Sequence, residues 1–306
     1  MDQKVIATIG AFDGVHLGHQ ALFSQMRDYA ARYEDARLVI LTFPYPADVL
    51  RPHGSQHIDP PHRHLERLGE LEGFEVVPMV FSTELAAHSA ETFIREVLHE
   101  QLHVTDLFLG YDNRFGAGAK LSYEDYRALG AQYAMEVTQA DSLSLSGEIV
   151  SSTAIKSLIR SGEMREAYRA LGRPHAIYGT VVAGQKLGRR LGYPTANVQR
   201  EDADQLLPPD GVYACDLELL RPTGRSEQHH AMLYIGKRPT LGGELERTIE
   251  VHILDFDEMI YGMEVIVHIF EQLHPEHRFA STEELRSALE TYEQDTRRYF
   301  AENTRY

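Results

Sequence analysis

"VIATIGAFDGVHLGH", residues 5–19, sets the architecture of the first half of the chain. Its opening run, Val5 to Ile9, is apolar and β-rich, the composition of a strand buried on both faces. The segment after it is not core material. Gly10, Asp13, Gly14, His16, Gly18 and His19 follow in close succession, and a helical pattern opens near Leu17 or Gly18. Ala21, Leu22, Met26, Tyr29 and Tyr33 form its apolar stripe. A strand that ends in glycines and leads into a helix presents unpaired N–H groups and a partial positive charge, an arrangement suited to anions.

Outward from this stretch, "RLVILTF", "EVVPMVF" and "VTDLFLG" repeat the short apolar run, with helical patterns between them. Leu65, Leu68 and Leu71 make one stripe; Phe93, Ile94, Val97 and Leu98 make another. This alternation predicts an α/β domain with an open parallel sheet. Ligands of such sheets bind beyond the carboxyl ends of the strands, which is where Gly10 to His19 fall.

After "SSTAIKSLIRSGEMREAYRALGRP" the rhythm changes, and Gly172 with Pro174 reads as a helix stop. The boundary is expected near residues 172 to 176, giving domains 1–172 and 173–306. "AIYGTVVAG", "GVYACDLELL", "HHAMLYIG", "RTIEVHILDF" and "EVIVHIFEQL" are short strands separated by glycine and proline, which predict a small antiparallel β-barrel or sandwich. A terminal helix closes the chain, with Ser281 and Glu284 as a capping box and Leu285, Leu289, Tyr292, Thr296 and Tyr299 as its stripe.

Bulk properties narrow the partners. At 306 residues, 43% hydrophobic and 25% charged, the chain has the composition of a soluble globular protein with room for two cores. A net charge of −16 opposes nucleic acid and acidic membranes, yet leaves a small phosphate ligand possible, because phosphates are held by local amides and a few cations. No run approaches the ~20 apolar residues of a membrane span, and "MDQKVIATIG" lacks the apolar core of a secretory leader. Cys215 is the lone cysteine, on an expected strand, and fits a buried inert thiol in a reducing cytoplasm.

Two more polar segments belong with the first. "GYDNRFGAG" (110–118) follows the strand "VTDLFL", and "VSSTAIK" (150–156) opens another helix with hydroxyls and a nearby Lys156. In the second half, "GTVVAGQKLGRRLGYPTANV" (179–198) reads as a glycine-rich basic loop. Gly184, Gly188 and Gly192 free the backbone, Lys186, Arg189 and Arg190 balance phosphate charge, and Thr195 and Asn197 supply neutral oxygens suited to Mg²⁺. In "RTIEVHILDF" the residues Ile249, Val251 and Ile253 alternate, so Glu250 shares the opposite face with His252.

In the order "GAFDGVHLGHQAL", "GYDNRFG", "VSSTAIKSLIRSGEMREAYRALGRP", "GYPTANV", the chain resembles the bacterial bifunctional riboflavin kinase/FMN adenylyltransferase (FAD synthetase) family over almost its whole length. The resemblance implies a Rossmann-like nucleotidyltransferase sheet, then a riboflavin kinase barrel with a terminal helix. It implies ATP-dependent phosphorylation of riboflavin to FMN and adenylylation of FMN to FAD, with Mg²⁺ and with riboflavin, FMN and ATP as small-molecule partners. His16 and His19 would serve adenylyl transfer, and Glu250 would deprotonate the ribityl hydroxyl. Thr195 and Asn197 would hold the metal. ATP and its phosphates would fall to Gly10, Phe12, Asp13, Gly14, Gly18, Asp112, Arg114, Ser151, Ser152, Thr153, Lys156, Gly184, Lys186, Gly188 and Arg189.

Departures from the family pattern gather in the first half. Tyr45 precedes Pro46 where the family has His-Pro, Asn113 replaces an aromatic, and Ala154 and Lys156 stand where arginines are usual; His274 replaces an arginine near the C-terminus. The alternative is therefore a monofunctional riboflavin kinase with a degenerate adenylyltransferase half. "HEQLH" (99–103) matches the zinc-protease pattern, but a strand follows at once and no third ligand segment lies downstream. The histidines at 62, 64, 229 and 230 are expected at the surface.

Overall fold

The structure is a computed structural model that describes residues 3–43, 56–80, 82–118, 120–184, 187–239 and 245–303. Tyr45, Pro46 and Lys186 lie outside them. Two compact units divide the chain, residues 1–154 and 155–306.

The first unit alternates as expected: β1 (Lys4–Gly10), α1 (Leu17–Ala30), β2 (Ala36–Thr42), α2 (Pro61–Gly69), β3 (Phe74–Pro78), α3 (Thr83–Ala87), α4 (Ala90–Phe93), β4 (Asp106–Leu109), α5 (Tyr123–Ala131) and β5 (Glu136–Gln139). A two-strand hairpin, β6 (Ser144–Leu145) and β7 (Glu148–Ile149), leads to α6 (Ser152–Ser161). The five-stranded parallel sheet runs β3-β2-β1-β4-β5. Strand order reverses between β1 and β4, which opens a crevice at their carboxyl ends. One apolar layer holds Ile6, Leu22, Phe23, Met26 and Ile40; the other holds Val5, Ile9, Leu41, Phe93 and Tyr126. The fourth helix runs into a π-helical stretch, Ile94–Gln101, which the 3.6-residue reading does not anticipate. It ends at Leu102, and His103 is left-handed with φ 54°, so "HEQLH" is not one continuous helical face.

The second compact unit opens at residue 155, ahead of the change of rhythm near residue 172. The remainder of α6 and α7 (Met164–Leu171) belong to it, because α7 packs on the following strand β8 (His175–Val182) and on the last strand, β13 (Glu264–Pro275). Gly172, with φ 75°, stops α7 as expected, but that stop lies within the unit. After β8 come α8 (Leu187–Leu191), β9 (Ala196–Arg200), β10 (Gly211–Leu220), β11 (Ser226–Pro239), β12 (Leu245–Ile253), β13 (Glu264–Pro275) and α9 (Thr282–Glu302). Six strands close into an antiparallel barrel ordered β10-β11-β12-β9-β8-β13, resolving the barrel-or-sandwich alternative. Cys215 is fully buried on β10, and burial pushes its thiol well above the usual range. The Ser281 side chain caps α9 by accepting from the Glu284 N–H at 3.1 Å, while Glu284 accepts from the Ala280 N–H at 2.7 Å.

Candidate functional site

The loop between β1 and α1 is held in an unusual backbone conformation. Phe12, Gly14 and Val15 all have positive φ (48°, 82° and 41°), and the two non-glycine residues are buried, so packing holds them there. At Gly14 a Cβ would press on Ile58 at 2.9 Å, so both φ and space require glycine. The Asp13 carboxylate accepts the Ile58 N–H at 2.9 Å, pinning the loop to the segment before α2.

His16 is the N-cap of α1, and its hydrogen bonds fix its proton. The His19 N–H donates to His16 Nδ1 at 3.3 Å, and the Ser152 hydroxyl donates to the Asp13 carbonyl at 3.1 Å. With that hydroxyl proton spent, the 3.2 Å contact from His16 Nε2 to Ser152 Oγ requires the proton on Nε2. His16 is thus a neutral imidazole; burial pushes its pKa down to about 4, partly opposed by the Asp13 carboxylate. His19 stacks on it, with ring centroids 3.5 Å apart, and burial drives its pKa well below the usual value, assisted by His16 and His64. His64 is itself buried on α2, against the surface expectation, with Nε2 3.3 Å from Thr42 Oγ1. It sits behind the loop because α2 turns that face to the sheet.

These neutral histidines make the fold acid-sensitive. Between the usual histidine pKa of about 6.5 and about 4, the unfolded chain takes up a proton that folded His16 refuses. Stability is therefore full above pH 6.5 and falls as pH falls, by about 3 kcal/mol in all for His16. His16→Asn keeps a capping side chain and removes this titration, so thermal unfolding followed from pH 7 to 4 should fall less steeply than in the parent. An equal slope would refute the assignment.

A cavity of about 340 Å³ opens at the crevice between β1 and β4. Gly10, Phe12, His16, Gly18, His19, Asp112, Arg114, Ser151, Ser152 and Thr153 all line it, so three segments distant in sequence converge as expected. Asp13, Gly14 and Lys156 are not lining residues: the first two shape the loop, and Lys156 falls in the second unit. Asp141, Ser142 and Leu143 complete the wall, unanticipated because they follow β5, a short strand without a strong apolar run. A second cavity, about 280 Å³, adjoins the first across Gly10, Ala11, Asn113 and Arg114. Phe43, Leu85, Phe93 and Phe115 make its wall largely apolar. Asn113, where the sequence departs from the family, donates its side-chain amide to the Ile9 carbonyl and ties the dividing ridge together.

The barrel gathers the second group. Glu250 on β12 stands opposite Asn197 on β9, and the Thr195 hydroxyl donates to Glu250 Oε2 at 3.1 Å. His252 Nδ1, 2.8 Å from the Pro194 carbonyl, donates to it and anchors the "PTAN" segment to the same strand. Gly188 and Arg189 lie on the short helix α8 rather than on a loop. Arg189 and Thr195 line a small cavity of about 70 Å³ with Asp257 and Tyr261. A Cβ on Gly184 would collide with the Asn197 carboxamide. Gly184→Ala should therefore displace Asn197 and lower ATP-dependent turnover at the barrel about 10²-fold, as small misplacements do. Steady-state kinetics checks this; unchanged turnover would remove Asn197 from the site.

A metal fits the barrel site only in one style. No cluster of three or more His, Cys, Asp or Glu side chains able to hold an ion occurs among the described residues. Two neutral oxygens beside one carboxylate suit Mg²⁺ that leans on nucleotide phosphates and keeps its waters.

Comparison with known proteins agrees with this division. A family model for FAD synthetase matches residues 1–154, and one for riboflavin kinase matches residues 171–300. The bifunctional riboflavin kinase/FMN adenylyltransferase of Listeria monocytogenes is 36% identical over 98% of this chain and 94% of its own length. That of Pseudomonas fluorescens is 33% identical over 93% and 89%. A crystal structure from Streptococcus pneumoniae, described as a macrolide-efflux protein, superimposes with a TM-score of 0.82 at 31% identity, covering 97% of this chain and 95% of that one. No described helix of the present chain is long and apolar enough to cross a membrane. Matched in both halves and similar to such relatives from end to end, the chain belongs to the bifunctional riboflavin kinase/FMN adenylyltransferase family.

Proposed function

We propose that the second unit phosphorylates riboflavin to FMN with ATP, and that the first transfers AMP from ATP to FMN, giving FAD and pyrophosphate. The observation that carries this is that each unit holds its own phosphate-handling constellation: the His16–His19 pair on one cavity, Glu250 with Thr195 and Asn197 on the barrel. The FAD synthetase match spans residues 1–154 and both histidines line the cavity, so a kinase with a degenerate first half is not favoured.

In the barrel, Glu250 takes the proton of the ribityl hydroxyl as that oxygen attacks the γ-phosphorus. Its alignment by Thr195 orients the carboxylate. Thr195 and Asn197 would hold Mg²⁺, which neutralises phosphate charge when bound. In the first unit, ATP occupies the larger cavity and the flavin ring the apolar one, so that the two phosphates meet at the shared ridge. Neutral His19 donates an N–H to oxygens that gain charge during transfer. His16, with both nitrogens engaged, holds the loop and Ser152 in register.

Chromatography of products from riboflavin, ATP and Mg²⁺, beside a reaction started from FMN, tests the reading. FMN followed by FAD is the expected result. FMN alone from riboflavin, with no FAD from either start, would refute the adenylyltransferase assignment; neither product would refute both.

A further inference from the structure

The two cavities of the first unit carry little positive charge for a site that receives two phosphorylated molecules. Among the described residues lining them, Arg114 is the one lysine or arginine, while Asp112 and Asp141 bring negative charge to the larger cavity. His16 and His19 add none, being neutral. Arg114 is also one of four described residues that line both cavities. Its guanidinium is exposed and makes no ion pair among the described residues. One N–H donates to the Asn113 carbonyl at 2.7 Å, which leaves most of its fork free. The amide of Asn113 is in turn tied to the end of β1, so the residue preceding Arg114 is anchored to the ridge.

We propose that Arg114 is a catalytic residue of adenylyl transfer, its guanidinium fork bridging the α-phosphate of ATP and the phosphate of FMN. The inference rests on the reading of this unit as an FMN adenylyltransferase. In the transfer, an oxygen of the FMN phosphate gives its electron pair to the α-phosphorus, and the bond from that phosphorus to the β-phosphate oxygen breaks. Pyrophosphate departs with that pair, and no proton need move. Two anions are brought together at the ridge, and a cation shared between them offsets their repulsion at the point where charge accumulates. A planar fork can engage both oxygens where an ammonium meets one.

The test is steady-state FAD formation by the full chain from FMN and ATP. Arg114→Ala should lower kcat about 10²–10³-fold and raise KM for both substrates. Arg114→Lys should restore only part of the rate, since it keeps the charge and loses the fork. The reverse reaction, from FAD and pyrophosphate, should slow as well. Thermal unfolding and riboflavin phosphorylation on the same samples report folding. A KM change confined to one substrate with kcat unaltered, or full recovery by lysine, would overturn the bridging role. Wild-type protein that forms no FAD would instead sink the underlying reading; wild-type activity matched by Arg114→Ala would sink the inference alone.

Discussion

Glu250→Gln is expected to abolish conversion of riboflavin to FMN while leaving FAD formation from added FMN intact. Glutamine keeps the shape of the side chain and an oxygen to accept the Thr195 hydroxyl bond of 3.1 Å, so the barrel should stay folded. It cannot accept a proton. Loss of a positioned general base lowers kcat about 10²–10⁴-fold, and the effect should appear in kcat more than in KM for ATP. Kinase turnover within a few-fold of the parent would exclude Glu250 as the base. The FMN-started reaction, run on the same protein, separates loss of chemistry from loss of fold.

His19→Ala should produce the opposite pattern: FMN accumulates from riboflavin, and FAD does not follow. The substitution removes one ring of the 3.5 Å stack and the imidazole donor at the cavity, but retains the backbone N–H that caps onto His16. Removing one preorganised donor to a developing oxyanion costs about 10²–10³-fold in kcat. Because the kinase residues lie in a separate compact unit, riboflavin phosphorylation should persist. Loss of both activities in a folded protein would contradict the division of labour.

Much of this architecture was readable in the chain because its strands announce themselves by local composition. Val5 to Ile9 is buried along its length, and the loop after it forms the cavity wall the glycines and histidines suggested. The alternation of Ile249, Val251 and Ile253 put Glu250 on the same side of the barrel wall as Asn197 opposite it. Elements that depend on partners were harder to read. β9 is only five residues with one buried position, Val198, and exists because β8 and β12 flank it. His64 looked like a surface residue in a charged run, but its burial follows from where α2 lies on the sheet. The apolar second cavity draws Phe43, Phe93 and Phe115 from three segments distant in sequence, a convergence with no local signature. The glycine stop at 172 falls beside residue 171, where the riboflavin kinase match begins, while the compact unit reaches back to residue 155 because α7 packs on β8 and β13.

The bond between His16 and Ser152 joins residues 136 positions apart. That separation has a consequence for synthesis on the ribosome. The β1–α1 loop leaves the exit tunnel early with the His19 N–H already on His16 Nδ1, yet Nε2 lacks its Ser152 partner until the start of α6 follows. Closing so long a loop costs chain entropy that only the intervening sheet can offset. Nascent chains shorter than this therefore expose an incomplete nucleotide pocket, and competence to hold the nucleotide arrives late and in a single step. A ribosome-stalled series in which Ser152 lies either inside or beyond the exit tunnel would register that step as abrupt protection from protease upon addition of ATP.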